Sequence, residues 1–265
     1  MLRLAAVSYL NTKPFLKGLQ AEFLATELNI RLLPPSHCAR AFWSCEVDIA
    51  LVPAGAMAQQ PGEYTLIPDW CIGAEGQVDS VFWVSNTPPQ EVSRLYGDPD
   101  SFTSNALARL LMQNHWHRPH EWIATEAPQL ELLPGEAAVL IGDKAIGLAG
   151  RYTQVVDLAA EWQAYTGLPF VFAIWCVQGA ALDEKLLRRI HQALGAGFNQ
   201  LDAVVAEWAP QSGLAPEELL HYYTRSISYR LDESKLRALS RFLDEVAQML
   251  SLDSARFRLP VLQAS

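Results

Sequence analysis

Two short apolar runs, Leu2–Val7 and Val47–Val52, constrain this chain more than any other feature, because each carries a single charge and ends at a turn or helix-start signal. A strand with one wet face alternates apolar and polar residues. A nearly continuous run is buried on both faces, as in a parallel sheet covered by helices. After Val7 the chain turns polar at once, and Pro14 suits the first turn of a helix that continues through Phe15, Leu16 and Leu19. Ser8, Tyr9, Asn11 and Thr12 therefore stand at the carboxyl edge of a sheet, beside free backbone N–H groups. Open α/β folds bind their ligands there. Ser8, Asn11 and Thr12 equally suit plain helix capping.

Strand and helix patterns alternate to the end of the chain. The clearest break is Asn86-Thr87-Pro88-Pro89, and the longest strand-like run is Leu168–Val177. The expected layout is α/β with two lobes: residues 1–85 plus 176–265 form one, and residues 86–175 form a second inserted into it. A ligand then sits in the cleft between them. Asp69–Asp79 reads as a loop, and the chain from Asp183 onward as mostly helix.

With 265 residues, half of them hydrophobic, the chain can bury a large core. A net charge of −9 disfavours a nucleic-acid or anionic-membrane surface. An anionic ligand must then be held by local donors and helix ends. Cys38, Cys45, Cys71 and Cys176 have no metal-ligand spacing and read as buried free thiols of a reducing compartment. No signal peptide and no membrane span is evident, so a cytoplasmic protein is expected.

There is no GxGxxG, GxxxxGK[ST], HExxH or GxSxG. A second candidate stretch is Asp98–Asn105, where Ser101, Thr103, Ser104 and Asn105 at a helix entrance offer a receptor for a carboxylate. Gly142-Asp143-Lys144 ends an apolar strand, and His115, His117 and His120 read as an exposed loop rather than a metal centre.

Ser8-Tyr9-Leu10-Asn11-Thr12 with Pro14, and then Glu46-Val47-Asp48-Ile49-Ala50-Leu51-Val52-Pro53, resemble the opening of the menaquinone-biosynthesis family that includes chorismate dehydratase. Further blocks follow in the family's order: Cys71-Ile72-Gly73, Ser80-Val81, Ser101-Phe102-Thr103-Ser104, Ile141-Gly142-Asp143-Lys144 and Thr166–Trp175. The likeness spans residues 2 to about 178. It implies a periplasmic-binding-protein-like type II fold and a lyase that converts chorismate to 3-[(1-carboxyvinyl)oxy]benzoate and water. It also implies that Asn11 and Ser80 are the catalytic positions. Substrate contacts are expected from Ser8, Tyr9, Thr12, Pro53, Ser101, Thr103, Ser104, Asn105, Gly142 and Asp143. Phe102 departs from the family, which usually has Arg there.

Loss of the C3 proton and C4 hydroxyl makes the chorismate ring aromatic, so no cofactor or metal is expected. A substrate carboxylate would remove the proton while Asn11 and Ser80 orient the ring and bind the hydroxyl. Two other readings remain: the dihydroxynaphthoate synthase of the same pathway, and a non-catalytic small-anion-binding protein. No oligomeric state is expected from the sequence.

Overall fold

The computed structural model describes residues 1–59, 64–178 and 183–252. Its strands, in chain order, are β1 (Leu2–Val7), β2 (Leu28–Leu33), β3 (Ile49–Pro53), β4 (Tyr64–Ala74), β5 (Val81–Ser85) and β6 (Arg94–Tyr96), then β7 (Glu121–Ile123), β8 (Glu136–Ile141), β9 (Gln154–Asp157), β10 (Phe170–Gln178) and β11 (Ser228–Leu231). The helices are α1 (Lys13–Glu22), α2 (Pro35–Trp43), α3 (Ala54–Gln59), α4 (Phe102–Leu110) and α5 (Asp143–Leu148), then α6 (Leu158–Thr166), α7 (Glu184–Ala196), α8 (Leu201–Ser212), α9 (Pro216–His221) and α10 (Glu233–Met249).

Two mixed sheets result. One has the order β11-β4-β10-β3-β1-β2 and the other β7-β6-β8-β5-β9. β1 pairs in parallel with both β2 and β3, while β10 runs antiparallel to β3 and β4. Leu4–Val7 and all of β3 are buried, as their continuous apolar runs require.

The chain passes from the first sheet to the second between Ala74 and Val81, and it returns between Asp157 and Phe170. The crossings expected at residues 86 and 175 need correction. β5 pairs with β8 and β9, so it belongs to the second sheet, and β10 lies wholly in the first. Pro88 and Pro89 break the chain within the second lobe, after β5 has been laid down. The expected loop over Asp69–Asp79 is also corrected, because β4 continues to Ala74. The register between β4 and β10 slips between Leu66 and Cys71, and Asp69 takes φ +67° in that irregular stretch. Cys45 is exposed, unlike Cys38, Cys71 and Cys176.

One side chain ties the two crossings together. The Asp157 carboxylate accepts the backbone N–H groups of Val78 and Asp79 on the outgoing crossing, both at 2.9 Å. Its other oxygen caps α6 on the return crossing by accepting from Ala159 and Ala160. The C-terminal helices dock on α1 at a place where only glycine fits. A Cβ on Gly18 would lie 1.9 Å from the Ala193 carbonyl oxygen, and one on Gly197 would lie 1.7 Å from that of Pro14. Beneath α1, Phe15 makes edge contacts with Trp70, Trp175, Phe198 and Tyr229 at centroid distances of 5.3–6.1 Å. This packing fixes the turn that carries Asn11.

No helix among the described residues is long and apolar enough to cross a membrane.

Candidate functional site

Between the lobes lies a cavity with about 520 Å³ of atom-free space, its mouth included. The first sheet contributes the carboxyl ends of β1 and β3 (Val7 and Pro53), together with Ile72, Phe172 and Ala173. The second lobe contributes Val81, Ile141 and the start of α4. The walls are mainly apolar with a few convergent polar groups, the usual make-up of a small-molecule site.

Tyr9, Asn11, Pro53 and Ser80 line this cavity, and Ser101, Thr103, Ser104 and Gly142 complete its polar rim. Four other sequence-expected positions lie outside the lining. Ser8 offers its carbonyl oxygen to the Lys13 ammonium at 2.9 Å. Thr12 is fully buried, and its hydroxyl donates to Asn11 Oδ1 at 3.1 Å, which steers the Asn11 amide. Asn105 braces the loop before α4 through paired bonds with the Asp98 backbone at 2.8 and 2.9 Å. Asp143 accepts the Leu10 N–H at 3.0 Å, joining the lobes rather than facing the cavity. These four residues lie behind the wall, where Thr12 is bonded to the Asn11 side chain and Asn105 and Asp143 to neighbouring backbone.

The two positions placed at the reaction centre are joined by a residue that sequence reasoning missed. Ser80 is 2% exposed and hydrogen-bonds the Val78 carbonyl at 3.3 Å. Behind it the Tyr222 hydroxyl donates to Ser80 Oγ at 2.9 Å. The Asn11 side chain also reaches that phenol, where it favours the ionised form. Burial outweighs both contacts and pushes the Tyr222 phenol well above its ordinary range, so it stays a donor at neutral pH. A second tyrosine, Tyr229, donates to the Asn11 carbonyl oxygen at 3.0 Å. Both tyrosines lie in the C-terminal third, 142 and 218 residues from their partners.

Hydrogen bonds span the mouth of the cleft and hold the lobes against each other. Thr103 Oγ1 accepts the Gly55 N–H at 2.9 Å, the Ser36 N–H donates to the Asp100 carbonyl at 3.1 Å, and the Tyr9 hydroxyl reaches Asp100 at 3.4 Å. Ser101 caps α4 by accepting the Ser104 N–H at 3.0 Å. The first-turn N–H groups of α4 and these hydroxyls are neutral donors at a helix start, where negative charge is favoured. Gly142 takes φ +70°, and a Cβ there would sit 2.8 Å from the Tyr9 ring, so glycine is what lets Tyr9 close over the second lobe.

Charge near the cavity is mostly acidic. Lys144 Nζ lies 3.0 Å from Asp98 and 3.5 Å from Asp100, so its charge is already shared. Burial raises the carboxyls of Asp98 and Asp143 above the usual carboxylate range. Lys13 is buried over the Trp208 ring at 3.9 Å. Phe102 is not part of the lining, and its ring packs toward Gly55 on α3. His115 pairs with Glu161 at 3.3 Å, and no group of three or more metal-ligating side chains occurs among the described residues.

Comparison with known proteins gives the chain a family and a fold. The profile of a family described as menaquinone biosynthesis matches residues 2–248. The chain is 28% identical to a chorismate dehydratase of Thermus thermophilus over 229 residues, covering 79% of this chain and 83% of the relative. It is also 28% identical to a chorismate dehydratase of Campylobacter jejuni over 211 residues, 79% of each. In three dimensions it is similar to a protein of Archaeoglobus fulgidus, with a TM-score of 0.72 at 15% identity, covering 94% of this chain and 97% of that one. It is likewise similar to the alkanesulfonate-binding protein of Xanthomonas axonopodis bound to MOPS, with a TM-score of 0.64 at 12% identity, covering 99% and 98% of the two chains. The fold is thus that of the periplasmic binding proteins.

Proposed function

We propose, for a chain that belongs to the menaquinone-biosynthesis family, that the cavity between its lobes dehydrates chorismate to 3-[(1-carboxyvinyl)oxy]benzoate. The observation that carries this reading is the convergence of Asn11 and Ser80 on one cavity, linked by the Tyr222 hydroxyl. The reaction is a hydro-lyase elimination in which the C3 proton and C4 hydroxyl leave as water. The protein is read as a cytoplasmic enzyme of a single small-molecule substrate.

Each group has a role suited to its chemistry. The start of α4, with Ser101, Thr103 and Ser104, holds one substrate carboxylate through neutral donors. Ser80, itself bonded by Tyr222, donates to the departing hydroxyl. Asn11 fixes the ring and the second carboxylate, which acts as the base. Amide and hydroxyl side chains are poor bases at neutral pH and good positioning groups. The closed walls keep water from competing for these bonds, so each one counts for more than it would in solvent.

The test incubates the protein with chorismate alone and follows the new aromatic absorbance. Wild type is expected to form product with no addition, and Asn11→Ala and Ser80→Ala are each expected to lower kcat by about 100-fold or more. Full turnover by both variants would overturn the site assignment. Tight binding of chorismate without product would make the protein a receptor.

A further inference from the structure

On the second lobe a separate cavity, with about 850 Å³ of atom-free space, lies between the end of α4 and β7. Arg109, His117, Arg118 and His120 line it together with Gln113 and Trp122, and no carboxylate is part of the lining. The chain has a net charge of −9, and several of its cations elsewhere are paired. Arg3, Arg31, Arg94, Arg189 and Lys235, for example, all lie against carboxylates.

The two arginines here have other surroundings. Arg109 stacks on the Trp122 ring at 5.1 Å, and burial lowers its pKa, so the guanidinium has lost solvation without gaining an ion pair. Arg118 Nε is inaccessible and has no hydrogen-bond partner among the described residues. A buried donor without an acceptor carries a cost, which is relieved if the Arg118 side chain turns this donor onto an ion in the cavity it lines. His120 Nδ1 lies 3.2 Å from the Arg118 carbonyl oxygen and can only donate to it, so Nε2 of the neutral ring is left as a hydrogen-bond acceptor.

We propose that this cavity is an anion site for a phosphate group, carried by a phosphate monoester or free. Two guanidinium forks suit an ion with several oxygens, and the His120 Nε2 lone pair can accept from a P–OH group, which a carboxylate lacks at neutral pH. Trp122 supplies an apolar wall for an organic substituent. The site is distinct from the cleft. None of its residues lines the cleft, and Arg109 lies more than one turn beyond Ser104 on α4.

The experiment is calorimetric titration of the full chain at constant ionic strength with inorganic phosphate, phenyl phosphate and benzoate, with sodium chloride as the control. Saturable binding of phosphate is expected. Arg118→Ala should weaken it by 10-fold or more, and Gln113→Glu, an exposed position where a new carboxylate repels the anion, should do the same. Ser101→Ala in the cleft should leave it unchanged. Tighter binding of phenyl phosphate would identify an ester as the ligand, and equal binding would identify the free ion. Binding no stronger than chloride overturns the proposal. So does benzoate affinity that equals that of phosphate and is lost in Arg118→Ala, or phosphate affinity that survives Gln113→Glu.

Discussion

The Tyr222 hydroxyl lies 2.9 Å from Ser80 Oγ and donates to it. It occupies a lone pair of the serine and leaves the serine proton free to turn from the Val78 carbonyl to a substrate hydroxyl. A donor that is itself hydrogen-bonded from behind is a stronger donor. Tyr222→Phe keeps the packing of a buried ring and removes this bond together with the phenol's contact to the Asn11 side chain. Its kcat on chorismate is expected to fall about tenfold, ~1.4 kcal/mol, with KM nearly unchanged. Steady-state kinetics check this, and a change confined to KM would count against it.

Asp143 gives a prediction about pH. Burial raises its carboxyl above the ordinary value, while the Leu10 N–H and Lys13 pull the other way. A raised carboxyl takes up its proton earlier as pH falls, which removes a negative charge from beside a dianion's site. KM for chorismate is therefore expected to fall as pH is lowered from neutrality toward the carboxylate range. Asp143→Asn keeps an oxygen for Leu10 and removes the charge at every pH. It should lower KM by about fivefold at neutral pH, ~1 kcal/mol, and flatten the profile. Initial rates across that range decide it.

Much of this was legible in the residues, and the limits have physical causes. The doubly buried strands announced themselves as continuous apolar runs, and Gly167 and Asp157 marked the ends of α6 as turn and cap residues should. The crossing points did not, because proline punctuates any edge of a strand and Pro88 and Pro89 happen to follow β5. Asp69 misled in a similar way: a polar residue at positive φ looks like the end of a strand, although only the register slips there. At the site, Tyr9, Asn11 and Ser80 lie within named blocks. Tyr222 does not, and nothing local distinguishes a tyrosine that packs from one whose hydroxyl crosses the molecule to a serine.

Asp157→Asn tests the link between the crossings. An asparagine oxygen can still accept, but its NH2 then faces one pair of the four N–H donors that the carboxylate now satisfies. The loss expected is about 2–3 kcal/mol, read as a lowered denaturant midpoint with an unchanged slope. The chorismate rate should fall as well, since Val78 and Asp79 lead directly into Ser80.

That adjacency has a mechanical consequence. A gate swings widely at its free edge and hardly at all beside its pivot. Ser80 follows directly on a segment anchored by Asp157, so it sits near the fulcrum of any opening, while Tyr9 and the serines of α4 ride on the sweeping rims. Substrate can be admitted and released by large excursions of those rims, and the hydroxyl that meets the leaving group stays almost stationary.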